Sequence, residues 1–240
     1  RSSDLYPKAY GFGLNKYPAE RQAWFGCACC PPNIARLLSG LGTYVYSAEP
    51  HALWVHLYAA STGTLDLGGT AVTVRQETDY PWDGQVTITI DPGVPTDFAL
   101  CLRVPAWCHG ATIAVNGRTE DAAVRSVAGY ARLARVWRPG DTVSLNLPMP
   151  VRRLAAHPSV RHAAGMTALQ RGPVVYCFEE ADNGPDLAAL SLPADAAIEA
   201  TVTDSPFPGV PVLRARVRRD SGAGWDAALY RPAADCAAPV

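Results

Sequence analysis

The sequence predicts a mainly β chain: one amphipathic helix near the N-terminus, then an antiparallel β-sandwich, then a second β-rich domain. Three observations carry this. From Tyr44 on, apolar and polar residues alternate with a period of two, in 52–59, 72–78, 85–90 and 98–104, the pattern of half-buried strands. Turn dipeptides separate these runs, among them Gly68-Gly69, Asp83-Gly84, Pro92-Gly93 and Asn116-Gly117. Residues 31–42 have helical spacing instead, with Ile34, Leu37, Leu38 and Leu41 at the i, i+3, i+4, i+7 positions of one buried face.

Composition narrows the classes of function. Charged residues make up 18% of the 240 and the formal net charge is −1, so no basic surface suited to nucleic acid is expected. No apolar run approaches the roughly 20 residues of a membrane span. At 48% apolar the chain can bury a substantial core. Seven cysteines are an odd number without framework spacing, which argues against a disulfide scaffold. Arg1 is not a natural start, and the chain reads as a fragment cut from a longer protein. Its location is left open with the cytoplasm favoured, and a homodimer is compatible with the sequence.

Taken in order, residues 1–26 are aromatic (Tyr6, Tyr10, Phe12, Tyr17, Trp24, Phe25) and read as a packed loop or as a loop lining a sugar site. The helix starts at Pro31, whose missing N–H is no loss at a first helical position, with Cys30 as its N-cap and Gly40 and Gly42 suited to its end. Strands at 130–136 and 142–147 flank Arg138-Pro139-Gly140-Asp141. Trp54, His56, Trp82 and Trp107 read first as core or face packing and second as a sugar platform. Cys101 and Cys108 read as unpaired core thiols. Pro148 and Pro150 mark a boundary, followed by strand-like runs at 154–156, 166–170, 174–178 and 211–218, with 186–200 irregular between them. Glu179 and Glu180 are neighbours that a strand would point to opposite faces, which argues against a catalytic pair. Residues 220–240 read as a truncated or diverged, poorly ordered tail.

The chemistry concentrates in Cys27-Ala28-Cys29-Cys30-Pro31-Pro32-Asn33, with three thiols in four residues. Only the thiolate is a good nucleophile or metal ligand, and at a reference pKa of about 8.5 a few per cent of a free thiol is ionised at pH 7. The helix start favours a thiolate by about 0.3–1 kcal/mol; a coordinated metal deprotonates it outright. Spacing alone leaves a metal site, a packed core and a redox site open. Cys27 and Cys29 lack the two-residue gap of a C-x-x-C knuckle, and an iron–sulfur site needs about four thiolates.

The run Trp24-Phe25-Gly26-Cys27-Ala28-Cys29-Cys30-Pro31-Pro32-Asn33-Ile34-Ala35-Arg36-Leu37-Leu38 closely resembles glycoside hydrolase family 127, the β-L-arabinofuranosidases. Arg103-Val104-Pro105-Ala106-Trp107-Cys108, Asn116-Gly117, and Arg171-Gly172-Pro173-Val174-Val175-Tyr176 through Ala181-Asp182-Asn183 are similar to that family's C-terminal half, in the same order. The resemblance implies the end of an (α/α)6 barrel, here one helix, followed by two antiparallel β-sandwich domains. Residues 1–48 would close the catalytic barrel, 49–148 form a β-sandwich, and 149–240 form a second β-rich domain truncated at its C-terminus. It further implies Zn2+ as cofactor, Cys29 as nucleophile and zinc ligand, and Cys30 as a second zinc ligand. The family's other ligands, a glutamate and a further cysteine, and its acid/base glutamate fall upstream of Arg1. The implied partner is an arabinose-containing oligosaccharide or glycoconjugate, cleaved with retention at β-L-arabinofuranosyl linkages, and this chain by itself is expected to be inactive. The competing class is a non-catalytic zinc- or carbohydrate-binding β-sandwich module.

Overall fold

The computed structural model describes residues 29–120, 126–202 and 208–220. The aromatic N-terminal run, Cys27 and the tail beyond Asp220 lie outside them. The chain is mainly β, as expected. Its contacts divide it into two units: Pro31–Pro150 with Arg171–Val174, and, among the described residues, Cys29 and Cys30 with Val151–Gln170 and the residues from Val175 on. Among the described residues no helix is long and apolar enough to cross a membrane.

The first helix, α1, spans Cys30–Gly40. It begins one residue earlier than expected, so Cys30 is its first residue and Cys29 stands immediately before it. Pro31 and Pro32 remove two of the four N–H groups that a helix start leaves without partners. At the other end Gly40 loosens the helix, and a 3-10 turn, Leu41–Tyr44, replaces its predicted last residues. Two hydroxyls occupy carbonyls there: Ser39 Oγ donates to Arg36 O (2.9 Å) and Thr43 Oγ1 to Gly40 O (2.8 Å). The apolar stripe is uncovered, with Ile34, Leu37 and Leu38 exposed by 57–62%.

The strands of the first unit are β1 (Tyr46–Glu49), β2 (Ala52–Val55), β3 (Ser61–Leu67), β4 (Thr70–Thr78), β5 (Gln85–Asp91), β6 (Thr96–Arg103), β7 (Thr112–Val115), β8 (Arg118–Thr119), β9 (Ser126–Val127), β10 (Tyr130–Trp137) and β11 (Asp141–Asn146). They form a five-stranded sheet, β1-β2-β6-β10-β9, and a six-stranded sheet, β3-β4-β5-β11-β7-β8. One pair corrects the antiparallel expectation: β2 runs parallel to β6, from Ala52↔Ala99 to Val55↔Leu102. Between them the chain leaves for the other sheet, where it makes β3, β4 and β5, so it re-enters as a crossover and not as a hairpin.

Both sheets turn their apolar residues to one core. Leu53, Val55, Val72, Val74, Ile88, Ile90, Leu100, Leu102, Val143 and Leu145 are all fully buried within it, and each such side chain contributes about 1.5–3 kcal/mol. Trp137 is completely buried and its Nε1–H donates to Phe98 O (3.1 Å). Gln76, buried on β4, donates to Tyr46 Oη (2.9 Å) and Leu57 O (3.1 Å), and Tyr46 Oη reaches Ser61 Oγ at 2.9 Å. The alternation predicted for 52–59 inverts partway. The strand ends at Val55, so Tyr58 enters the core while Leu57 is half-buried.

The second unit contains β12 (Val151–Ala155), β13 (Thr167–Arg171), β14 (Val174–Tyr176), the one-turn α2 (Glu180–Asn183), β15 (Leu190–Ser191), β16 (Ile198–Val202), β17 (Pro211–Ala215) and β18 (Arg218–Arg219). Where a second sandwich is expected, the described residues form a three-stranded sheet, β12-β13-β14, and two ribbons, β15-β18 and β16-β17. None of the unit's described aliphatic or aromatic residues is buried apart from Pro211. Arginines brace its loops instead: Arg153 Nη2 donates to Ala196 O (2.8 Å) and Arg219 Nη1 to Pro185 O (2.6 Å). Glu179 and Glu180 sit at the start of α2 and not on a strand, because β14 stops at Tyr176.

Two turns of the sandwich are tied by one carboxylate. Asp141 accepts the Arg138 N–H (2.8 Å) and the Asn116 side-chain amide (2.8 Å), and Asn116 Oδ1 in turn accepts the Thr142 N–H (2.9 Å). Slight burial pushes the Asp141 pKa up, but these donors and the charges of Arg135 and Arg138 outweigh it and hold it below its ordinary value. A depressed folded-state pKa stabilises the fold above the unfolded carboxylate value of about 3.9, and that contribution is lost as pH falls through the folded value. Urea denaturation of Asp141→Asn should therefore show a deficit against wild type at pH 6 that shrinks towards pH 3. A deficit independent of pH would show that the carboxylate charge is not what holds the two turns.

Candidate functional site

The candidate site is built at the start of α1. Cys29 is exposed and Cys30 half-buried, and their sulfurs lie 3.8 Å apart. A disulfide would need about 2.05 Å. Two sulfurs on one tetrahedral zinc, each at about 2.3 Å, stand about 3.8 Å apart. The pair therefore fits two corners of a zinc tetrahedron as it stands. Among the described residues no group of three or more His, Cys, Asp or Glu converges on a common point. Cys30 is the first residue of the helix and Cys29 stands in a bend just before it. Pro31 and Pro32 fix that transition by restricting φ at both positions.

The other described cysteines do not join them. Cys101 and Cys108 are buried in the sandwich and are not bonded to each other, as expected, and Cys177 is exposed in the second unit. Burial raises the pKa of both core thiols; for Cys101 the neighbouring Arg132, 3.8 Å from its sulfur, partly offsets this.

The four aromatic candidates separate. Trp54 packs edge-on against Tyr130 (5.0 Å between rings), and its Nε1 is buried. His56 uses both ring nitrogens, one on Ser47 Oγ (2.8 Å) and one on Tyr130 Oη (2.7 Å). Trp107 packs against the sandwich core. Trp82 belongs to neither hydrophobic cluster and is exposed. Sequence reasoning gave no sign of Ser47 or Tyr130, because only the register of β1 and β10 brings them to His56. It also gave no separate role to two arginines. Arg103 Nε donates to His56 O (2.6 Å) and Arg171 Nη1 to Trp82 O (2.8 Å). Both arginines of the matching motifs brace main chain.

A sandwich preceded by a helix with vicinal cysteines defines the class: a β-rich chain with a pair of neighbouring thiols at a helix start. Comparison with known proteins places it further. Residues 52–149 match the model of the GH127 β-L-arabinofuranosidase middle domain, and residues 151–220 match the glycoside hydrolase family 127 C-terminal domain. This chain belongs to glycoside hydrolase family 127. A non-reducing end β-L-arabinofuranosidase of Bifidobacterium longum subsp. longum is 39% identical over 177 residues, which are 70% of this chain and 26% of that protein. A crystal structure of a GH127 β-L-arabinofuranosidase from Geobacillus stearothermophilus T6 superposes with a TM-score of 0.82 at 48% identity, over 90% of this chain and 34% of that one. A further GH127 β-arabinofuranosidase structure gives 0.75 at 31% identity, over 85% of this chain and 34% of that one. The chain thus spans about a quarter to a third of the length of these relatives.

Exposure and thiol chemistry together predict a labelling order. Iodoacetamide at pH 8, with a chelator present, should alkylate Cys29 and Cys177 in the native chain and leave Cys101 and Cys108 unmodified until denaturant is added, as read by peptide mass mapping. Modification of Cys101 or Cys108 ahead of Cys29 would contradict this.

Proposed function

We propose that this chain is part of a retaining, zinc-dependent glycoside hydrolase that cleaves β-L-arabinofuranosyl linkages, with the Cys29 thiolate as nucleophile. The observation that carries the reading is the Cys29–Cys30 sulfur pair at 3.8 Å, beside the family membership. Cys29 and Cys30 would hold the metal, whose contribution when bound is to keep the thiols ionised at neutral pH. The remaining ligands and the acid/base glutamate, by the resemblance, come from upstream of Arg1.

The chemistry asked of the residues is a double displacement. The Cys29 sulfur attacks the anomeric carbon, a C–S bond forms, and the glycosidic C–O bond breaks as a carboxylic acid gives its proton to the leaving oxygen. Water then attacks the same carbon from the vacated face, losing its proton to that carboxylate. The C–S bond breaks and the thiolate is restored. Two inversions give retention. Cys29 suits the nucleophile's part better than Cys30, since it is exposed while Cys30 is half-buried and lies within the helix. The substrate is an arabinose-containing oligosaccharide or glycoconjugate, in keeping with the β-L-arabinofuranosidases among the relatives.

The test uses the full-length protein, a mechanism-based arabinofuranose reagent and peptide mass spectrometry. The label should fall on Cys29. Cys29→Ser should lower turnover of an aryl β-L-arabinofuranoside by about 10³-fold or more, because a serine hydroxyl without a base is barely ionised. Cys30→Ser should lose activity in proportion to lost zinc. A label on Cys30 or on a carboxylate, or full turnover in Cys29→Ser, would overturn the assignment.

A further inference from the structure

We propose that the loop at residues 79–85 carries a carbohydrate site of its own, at which Trp82 stacks on a ring of a neutral glycan. Trp82 is 37% exposed, so part of the indole faces solvent. The other three aromatic candidates are engaged within the sandwich, by Tyr130, by the Ser47–His56–Tyr130 hydrogen bonds, and by the core contact of Trp107.

The loop is pinned from several sides. The Trp82 and Asp83 N–H groups both donate to Asp79 O (2.9 and 3.3 Å). Arg171 Nη1 donates to Trp82 O (2.8 Å). Asp83 Oδ1 accepts the Gln85 N–H (2.7 Å), and Thr78 Oγ1 donates to Gln85 O (2.6 Å). Gly84 lies so close to the next strand that a Cβ there would stand 2.0 Å from Leu147 O, and Leu147 N donates to Gly84 O (2.9 Å). An aromatic ring held on a fixed loop loses little conformational freedom on binding. A mobile surface tryptophan would have no use for these braces.

The rim chooses the sugar class. An indole face offers its π-cloud to the C–H groups of a sugar ring. The same loop carries the exposed carboxylates Asp79 and Asp83, and at its end the side-chain amide of Gln85 donates to that of Asn146 at 2.7 Å. Carboxylates accept hydrogen bonds from sugar hydroxyls and repel uronates, and the Arg171 guanidinium is taken up by Trp82 O, so the proposed ligand is a neutral chain and not an acidic one. The site lies wholly within the first unit, to which Arg171 also belongs.

The experiment is affinity gel electrophoresis of the intact protein through gels cast with arabinan, galactan or polygalacturonate. Wild type should be retarded by at least one neutral polymer and not by polygalacturonate. Trp82→Ala should bind about tenfold more weakly or not at all with an unchanged melting temperature, while Trp82→Phe keeps part of the retardation. Three results would overturn the site: no retardation of wild type by either neutral polymer, equal retardation of Trp82→Ala, or preference for polygalacturonate. The readout needs no turnover, so it stands apart from the role given to Cys29.

Discussion

The burial of β6 on both faces is the constraint on which the first unit depends. From Phe98 to Leu102 five consecutive residues are buried. Phe98, Leu100 and Leu102 enter the core between the sheets, while Ala99 and Cys101 lie in a second, smaller cluster with Ala52 on the opposite face. A strand with no solvent side needs partners on both edges, and β6 has β2 in parallel and β10 antiparallel. Small residues at Ala52 and Ala99 on the outer face let Trp54 and Tyr130 close over it. The same face then places the Tyr130 hydroxyl at His56. Sheet pairing, aromatic cover and polar relay thus follow from one buried strand.

That strand also governs where the chain enters the first sheet. β2 is fixed by β6, and β1 is fixed by β2 through the register Tyr46↔Val55 to Glu49↔Ala52. Val45, buried just before β1, accepts N–H bonds from His56 (2.8 Å) and Leu57 (3.5 Å). From there a single 3-10 turn leads into α1 and back to Cys30. Val45 and the 3-10 turn thus fix where the chain passes from the helix into the first sheet.

Much of this was legible in the sequence where local pattern and global burial agree. The alternations of β4 and β5 and the stripe of α1 were readable because one face of each is apolar, and β6 because it is apolar on both faces. Strand β3 was not, since Ser61, Thr62, Gly63 and Thr64 carry no apolar signal, and of its four inward residues only Leu65 and Leu67 are aliphatic. The parallel pairing of β2 with β6 leaves no local trace, because it is a contact between residues 47 apart in sequence, as in Ala52↔Ala99. The inversion at Tyr58 was hidden by a continuous alternating string that outlasts the strand itself. In the second unit Glu179 and Glu180 read as strand because Val174–Tyr176 before them is strand, and nothing local marked the one-turn helix that follows. For the site, the spacing of the thiols suggested a metal among other readings. Only coordinates supplied the sulfur–sulfur distance, and Ser47, Tyr130 and the bracing role of Arg171 depend on long-range register that no single sequence displays.

The central claim is that Cys29 and Cys30 ligate one zinc ion together. Zinc K-edge X-ray absorption on the full-length protein tests it most directly. The account predicts sulfur scatterers at about 2.3 Å, with one fewer in Cys30→Ser. A first shell of nitrogen and oxygen alone, or a sulfur count unchanged in Cys30→Ser, would contradict it.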